Sequence, residues 1–231
     1  MRDCHQGRVR QQFSFLRRQF AQEGDLPFSS VLSEKTIAPA LEAISTYWND
    51  RIYTPLVTLW VFLGQVMSAD HSCRAAVARL IVHRISHGLG ACSSRTGAYC
   101  QARKRLPENF FSTVTRLVGR KLQDQVPKSW LWKGRHVYMF DGSTVTMPDT
   151  VANQTAYPQT SQSKPGAGFP IARIGVLSSL SCGAVLDMAL GPYAGKGTGE
   201  VSLLRRLWNG LREGDILLAD GLMCNWRNIY E

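Results

Sequence analysis

Along the first 135 positions hydrophobic residues recur every three or four places. From residue 136 they recur every second place or in short unbroken runs. The first spacing is that of a helix with one buried stripe, the second that of a strand. In the first part, Thr36-Ile37-Ala38-Pro39 opens a predicted helix with Ile37, Leu41 and Ile44 in phase. Leu56 to Met67 is apolar on nearly every side except at Gln65 and reads as a buried helix. His71 to Ser86 follows with Cys73, Val77, Leu80 and Ile81 on one face, stopped by Gly88 and Gly90. Thr96 is placed to cap a short helix, TGAYCQARKRL, ended by Pro107. A longer helix starts near Asn109, with Phe110, Val114, Leu117, Val118 and Leu122 in phase until Pro127.

In the second part, His136 to Asp141 reads as a strand, Asp141-Gly142 as a turn or bulge, and Ser143 to Met147 as extended chain. Residues 148–170, rich in Pro, Gly, Gln, Ser and Thr, predict a long loop. Ile171 to Leu180 and Ala184 to Leu190 predict two strands joined by the hairpin-type link Ser181-Cys182-Gly183. Gly191 to Gly199 is a second loop, and Glu200 to Leu211 is a helix on Val201, Leu204, Leu207 and Leu211. Asp215 to Ala219 is a fourth, strongly apolar strand with Asp220 directly after it. Three strands with short or loop links form an antiparallel meander. A helical crossover then returns the fourth strand parallel to the first, which makes those two neighbours. The expected class is α+β: a helical region over 1–135 and a mixed sheet over 136–231.

Charge sharpens this division. The chain of 231 residues carries 27 Lys+Arg against 17 Asp+Glu, a net of +10. Residues 1–135 hold 20 basic and 9 acidic groups, whereas residues 136–231 hold 7 and 8. A basic half beside a neutral half predicts that one part holds a polyanion, nucleic acid first, and the other does something else. A solvated basic surface is the plainer account of the same numbers. Hydrophobic residues at 44% exclude a disordered or collagen-like chain. The six Cys form no C-x-x-C pair, which points to a reducing compartment rather than a secreted disulfide scaffold. His83 and His87 stand four apart but lack the Glu of a zinc-protease motif. The start, MRDCHQGRVRQQF, has no apolar run behind its charges, so it does not read as a signal peptide. The longest apolar stretch, about 12 residues, is short of the roughly 20 a membrane span needs.

Two features carry chemistry. The helix after Thr96 gathers Arg103, Lys104 and Arg105, groups that contact phosphates or enter a major groove. About eight residues separate it from the preceding helix, against the three or four of a helix-turn-helix. It therefore reads as a basic helical surface, or as an ordinary solvated face. The second feature is the pair Asp141 and Asp220, each at the end of a strand that the topology makes neighbours. Adjacent carboxylates repel and call for a cation or a proton. Hard Mg²⁺ takes such oxygens and keeps positions open for phosphate and water. Either Asp alone fits an ordinary turn.

The run FDGSTVTMPDTVANQTAYPQTSQSKPGAGFPIARIGVLSSLSCGAVLDMALGPYAGKGTGEVSLLRRLW, followed by DILLADG, resembles bacterial insertion-sequence transposases. The similarity is to the insertion-sequence-four branch of the Asp-Asp-Glu superfamily and covers about residues 136–224. RAAVARLIVHRI and TGAYCQARKRLPENFF resemble that branch's helical region. The resemblance implies a ribonuclease-H-like core, with Asp141 and Asp220 as two catalytic carboxylates holding Mg²⁺ or Mn²⁺, two ions in the complete family site. It implies cleavage of the ends of a transposable element and strand transfer into target DNA. It implies double-stranded DNA as partner, a homodimer in the DNA complex, no membrane, and the bacterial cytoplasm, associated with the nucleoid. Where the family has Arg and an aromatic after the second Asp, this chain has Gly221-Leu222-Met223. The family's third carboxylate, in a motif of Tyr, Arg, Glu and Lys, has no counterpart before Glu231, and neither Glu200 nor Glu231 stands in that context. The expectation is thus a truncated transposase with an apolar sheet face left bare, or alternatively a non-enzymatic DNA-binding remnant that interferes with a full-length enzyme. Lys164 and Arg173, flanking the long loop, are candidate phosphate contacts or plain surface charges, and Lys196 stands in a Gly-rich loop that is not a Walker loop. Asp149 and Asp187 are weaker carboxylate candidates, and Trp208 and Trp226 fit packing.

Overall fold

Four residue choices set where the helices begin and end. Thr54 accepts a bond from the Val57 amide at 3.3 Å, and Pro55 follows at the first helical position. Ser72 accepts from the Ala75 amide at 3.1 Å. Gly88, with φ of 69°, lets the chain leave the helix it ends. In this computed structural model, which describes residue 32 and residues 34–42, 52–159 and 168–230, the helices are α1 (Glu34–Glu42), α2 (Pro55–Met67), α3 (Cys73–Ser86), α4 (Gly97–Arg105) and α5 (Glu108–Asp124). Thr96 does not act as the predicted cap. Its backbone is already helical and its hydroxyl makes no capping bond, because a cap oxygen reaches the next turn only from an extended residue.

The second part forms β1 (Val137–Thr146), α6 (Val151–Ala156), β2 (Ile171–Ser179), β3 (Val185–Pro192), α7 (Glu200–Arg206), β4 (Ile216–Leu218) and α8 (Trp226–Tyr230). Among the described residues the fold is thus α+β, with eight α-helices and one mixed sheet of four strands. The sheet order is β3-β2-β1-β4. β1 and β2 run antiparallel, as do β2 and β3, while β4 lies parallel to β1. That is the order and direction the connection lengths predict.

Three local readings change. No turn interrupts β1 at Asp141-Gly142: Asp141 pairs with Val176 and Gly142 with Gly175 in an unbroken ladder. A glycine suits this strand because a side chain there would lie 2.6 Å from the Glu200 carboxyl carbon, so the residue is selected by close approach rather than by bending. The loop after Met147 contains helix α6, capped by Thr150, whose hydroxyl accepts from the Asn153 amide at 3.2 Å. The helix beginning at Glu200 ends at Arg206 and tightens into a 3₁₀ turn over Trp208–Gly210, short of Leu211.

The chain divides into two compact units, residues 1–111 and 112–231, with the division inside α5 rather than near residue 135. In the first unit, Val61, Ala76, Val77, Leu80 and Tyr99 form a buried cluster over α2, α3 and α4. In the second, Tyr138, Phe140, Leu177, Leu186, Ala189, Leu203, Leu204, Leu207 and Met223 form the core between one sheet face and α7. The later residues of α5 belong to this unit. Arg116 donates to Asp187 at 2.9 Å, and Arg120 donates to the Gly210 carbonyl at 2.8 Å.

Candidate functional site

β1 alternates between two environments, as any strand must. Tyr138 and Phe140 are buried toward α7, and Gly142 continues that face beneath Glu200. Met139 and Asp141 project to the opposite face and are exposed. On β4 the same alternation puts Leu217 against the core and sends Ile216 and Leu218 to the other side. Met139 is 41% and Leu218 48% exposed, so among the described residues this second face is largely open.

The parallel register pairs Val137 with Ile216, Tyr138 with Leu217 and Met139 with Leu218. Asp141 and Asp220 each come two residues after this last pair, Asp141 still within β1. Both Asp residues are exposed. β4 pairing ends at Leu218, so Asp220 stands just past the strand, at the head of the 3₁₀ turn Gly221–Met223. Asp141 Oδ1 accepts from the Gly142 amide at 2.9 Å. That bond uses one carboxylate oxygen only.

Glu200 lies near this pair but on the other side of β1. Its carboxyl sits against Gly142, the residue after Asp141, on the face that carries α7. Among the described residues no group of three or more His, Cys, Asp or Glu gathers at one point. The other acidic candidates have structural partners. Asp187 takes up Arg116, and Asp149 accepts from the Gln154 amide nitrogen at 2.8 Å. The rings of His83 and His87 lie tilted at 37° with centroids 4.1 Å apart, and His87 Nδ1 lies 2.8 Å from the His83 carbonyl, an arrangement that closes the end of α3.

The predicted phosphate contacts separate in the same way. Arg103 is half-buried and serves the first unit's interior: its Nη1 donates to Gln65 Oε1 at 3.2 Å, and its guanidinium lies 5.6 Å from the Tyr99 ring centre and 5.8 Å from that of Phe62. Tyr99 is fully buried and donates to the same Gln65 oxygen at 2.6 Å. Burial raises the Tyr99 hydroxyl's pKa, and the nearby Arg103 cation partly opposes the rise. Lys104 and Arg105 are exposed on α4. Arg173 on β2 is half-buried with its guanidinium 5.0 Å from the Tyr193 ring centre, and its Nε has no hydrogen-bond partner among the described residues. Lys164 lies outside the described residues. Lys196 is exposed in its loop.

Sequence reasoning passed over Trp130 and Trp132. They border a cavity of about 420 Å³ on the open face, lined also by Val137, Leu180, Ser181, Ile216 and Leu218. The available signal was the alternation of aromatic and basic residues in KSWLWKGR, set just before β1.

No protein-family model, curated protein or solved structure matches the chain. No described helix is long and apolar enough to cross a membrane.

Proposed function

We propose that the chain carries the catalytic sheet of a DNA transposase of the Asp-Asp-Glu type, a ribonuclease-H-like core acting on double-stranded DNA. The observation that carries this reading is the register. β1 and β4 pair in parallel as far as Met139 and Leu218, and Asp141 and Asp220 each follow two residues after that last pair. The sequence run around them supports the same reading.

The two carboxylates suit a divalent cation, Mg²⁺ or Mn²⁺. Such hard ions bind through one or two carboxylates and complete their shell with phosphate oxygens and water. When bound, the ion supplies positive charge to a phosphate and lowers the pKa of an attacking water. The protein's part is placement. The Gly142 amide holds one oxygen of Asp141, β4 brings Asp220 alongside, and the exposed face leaves room for a DNA backbone. The basic charge of the first 135 residues, with Lys104 and Arg105 exposed on α4, attracts that backbone. Two copies acting on paired element ends complete the proposal.

Calorimetric titration with Mn²⁺ tests the assignment. Asp141→Ala and Asp220→Ala each weaken binding by about tenfold or more, which corresponds to about 1.4 kcal/mol. Equal affinity in the wild type and both variants would reject the site.

One observation favours a second reading. Among the described residues no third ligand joins the two Asp residues. A chain that binds DNA without cutting it fits that arrangement. Strand transfer by the purified chain, abolished by Asp220→Asn, excludes this alternative. Binding without strand transfer, weakening steeply between 50 and 200 mM salt, supports it.

A further inference from the structure

Two thiols touch inside the first unit. Cys73 is the first residue of α3, and Cys100 lies in α4, 27 positions later. Cys100 Sγ donates to Cys73 Sγ at 3.9 Å. Both residues are half-buried, so neither is sealed from solvent.

The two sulfurs differ in their surroundings. Cys73 accepts twice: from Cys100, and from Gln65 Nε2 at 3.6 Å. A thiolate only accepts, so a deprotonated Cys73 keeps its bond from Gln65 and gains strength in the one from Cys100. At the head of α3 it also stands beside backbone amides, whose partial positive charge suits an anion. Cys100 is the reverse. Burial raises its pKa, the bond to Cys73 raises it further, and Arg103 and Lys104 oppose the rise. One sulfur is therefore set to attack and the other to hold its proton and follow.

A disulfide needs ~2.05 Å between its sulfurs, so each moves roughly 1 Å from its place, within reach of side-chain rotation. Among the described residues no third His, Cys, Asp or Glu gathers with the pair, so it lacks the ligand set of a structural zinc site. We propose that Cys73 and Cys100 form a reversible redox modification site, closed to a disulfide by small-molecule disulfides of the glutathione class. The Cys73 thiolate attacks one sulfur of the small disulfide, forming a mixed disulfide and releasing one thiolate. Cys100 gives its proton to that thiolate and attacks Cys73 Sγ, displacing the second small thiolate, which takes up the proton Cys73 first lost. The protein thiols lose two electrons, and the small disulfide gains them and becomes two thiols. The new bond ties α3 to α4 beside Gln65, whose Oε1 accepts from Tyr99 at 2.6 Å and from Arg103 at 3.2 Å. Oxidation thus fixes the helix that carries Lys104 and Arg105. The site is independent of the transposase reading and of Asp141 and Asp220.

The test equilibrates the full chain in mixtures of reduced and oxidised glutathione, blocks free thiols in acid, and maps linked peptides by mass spectrometry. In excess oxidised glutathione the wild type gives a linked pair carrying Cys73 and Cys100, and excess reduced glutathione opens it. The oxidised chain melts about 10 °C above the reduced one. Cys92→Ser, which alters a third cysteine at the edge of the same buried cluster, keeps both results. Cys100→Ser stops at a stable mixed disulfide on Cys73, and its melting temperature does not rise on oxidation. A folded wild type with no Cys73–Cys100 link in excess oxidised glutathione overturns the proposal without the need of any variant. So does a link that joins either cysteine to Cys92 instead. A link that lowers the melting temperature also overturns it, since the two helices would then have to separate before the bond could form.

Discussion

The two faces of the sheet are made by the same strands and differ in almost everything else. Tyr138 and Phe140 are 2% exposed beneath α7, while their neighbour Met139 is 41% exposed and Asp141 is open to solvent. One face spends its residues on packing. The other carries apolar side chains without cover, the Asp141 carboxylate, and a cavity bordered by Trp130 and Trp132. The comparison shows how a strand can be structural and chemical at once: alternation assigns the two duties to alternate residues, so changing one duty leaves the other intact.

Paired substitutions across β1 are the strongest way to break that contrast. Phe140→Ala empties a fully packed position and costs about 3–5 kcal/mol. Met139→Ala on the open face costs under about 1 kcal/mol. Urea unfolding of both measures the difference, and similar losses would mean that the open face is covered in solution. Next in size is alkaline pH. Burial pushes the Tyr53 hydroxyl up to about 12 from 10.0, and burial also raises Tyr138 and Tyr99. For each, the folded state holds its proton more tightly than the unfolded state. Stability is therefore full below about pH 10 and falls as pH rises through the folded values. Thermal melts from pH 8 to pH 12 should show the melting temperature declining only above about pH 10, and Tyr53→Phe should flatten part of that decline.

Smaller still is the stability effect of the candidate site. Asp141→Asn removes an exposed negative charge and no packed atom. The unfolding free energy should stay within about 0.5 kcal/mol of wild type, while Mn²⁺ affinity falls by about tenfold or more. A large destabilisation would make Asp141 a structural residue of the sheet. Smallest is Arg116→Ala. Its bridge to Asp187 is 2.9 Å long, but the arginine side chain is 54% exposed, so the loss should be at most about 1 kcal/mol.

Much of this was legible along the chain. Helical spacing placed α2, α3, α4 and α5 to within a few residues, because each buries one stripe. Connection lengths predicted the sheet order and the parallel β4, because short links allow only antiparallel neighbours and a helix is needed to return a strand. Where the reading missed, distance in sequence was the cause. Gly142 looked like a turn residue, and only the approach of Glu200, 58 positions later, explains it as strand. Arg103 looked like a surface cation, until Gln65 and the rings of Phe62 and Tyr99 enclosed it. The cavity beside Trp130 and Trp132 needed three separate segments to form its walls.

The sequence by itself determined the period of each element, the order of the strands, the basic bias of the first 135 residues and the two Asp positions worth watching. These follow from local propensity, chain connectivity and charge, which need no knowledge of distant neighbours. Tertiary structure decided which face of β1 was packed and which stayed open. It also decided that Asp141 lies on the open face, and that Glu200 reaches the same strand from the other side. Those outcomes depend on the pairing register, and a shift of one residue would have exchanged the two faces of the strand.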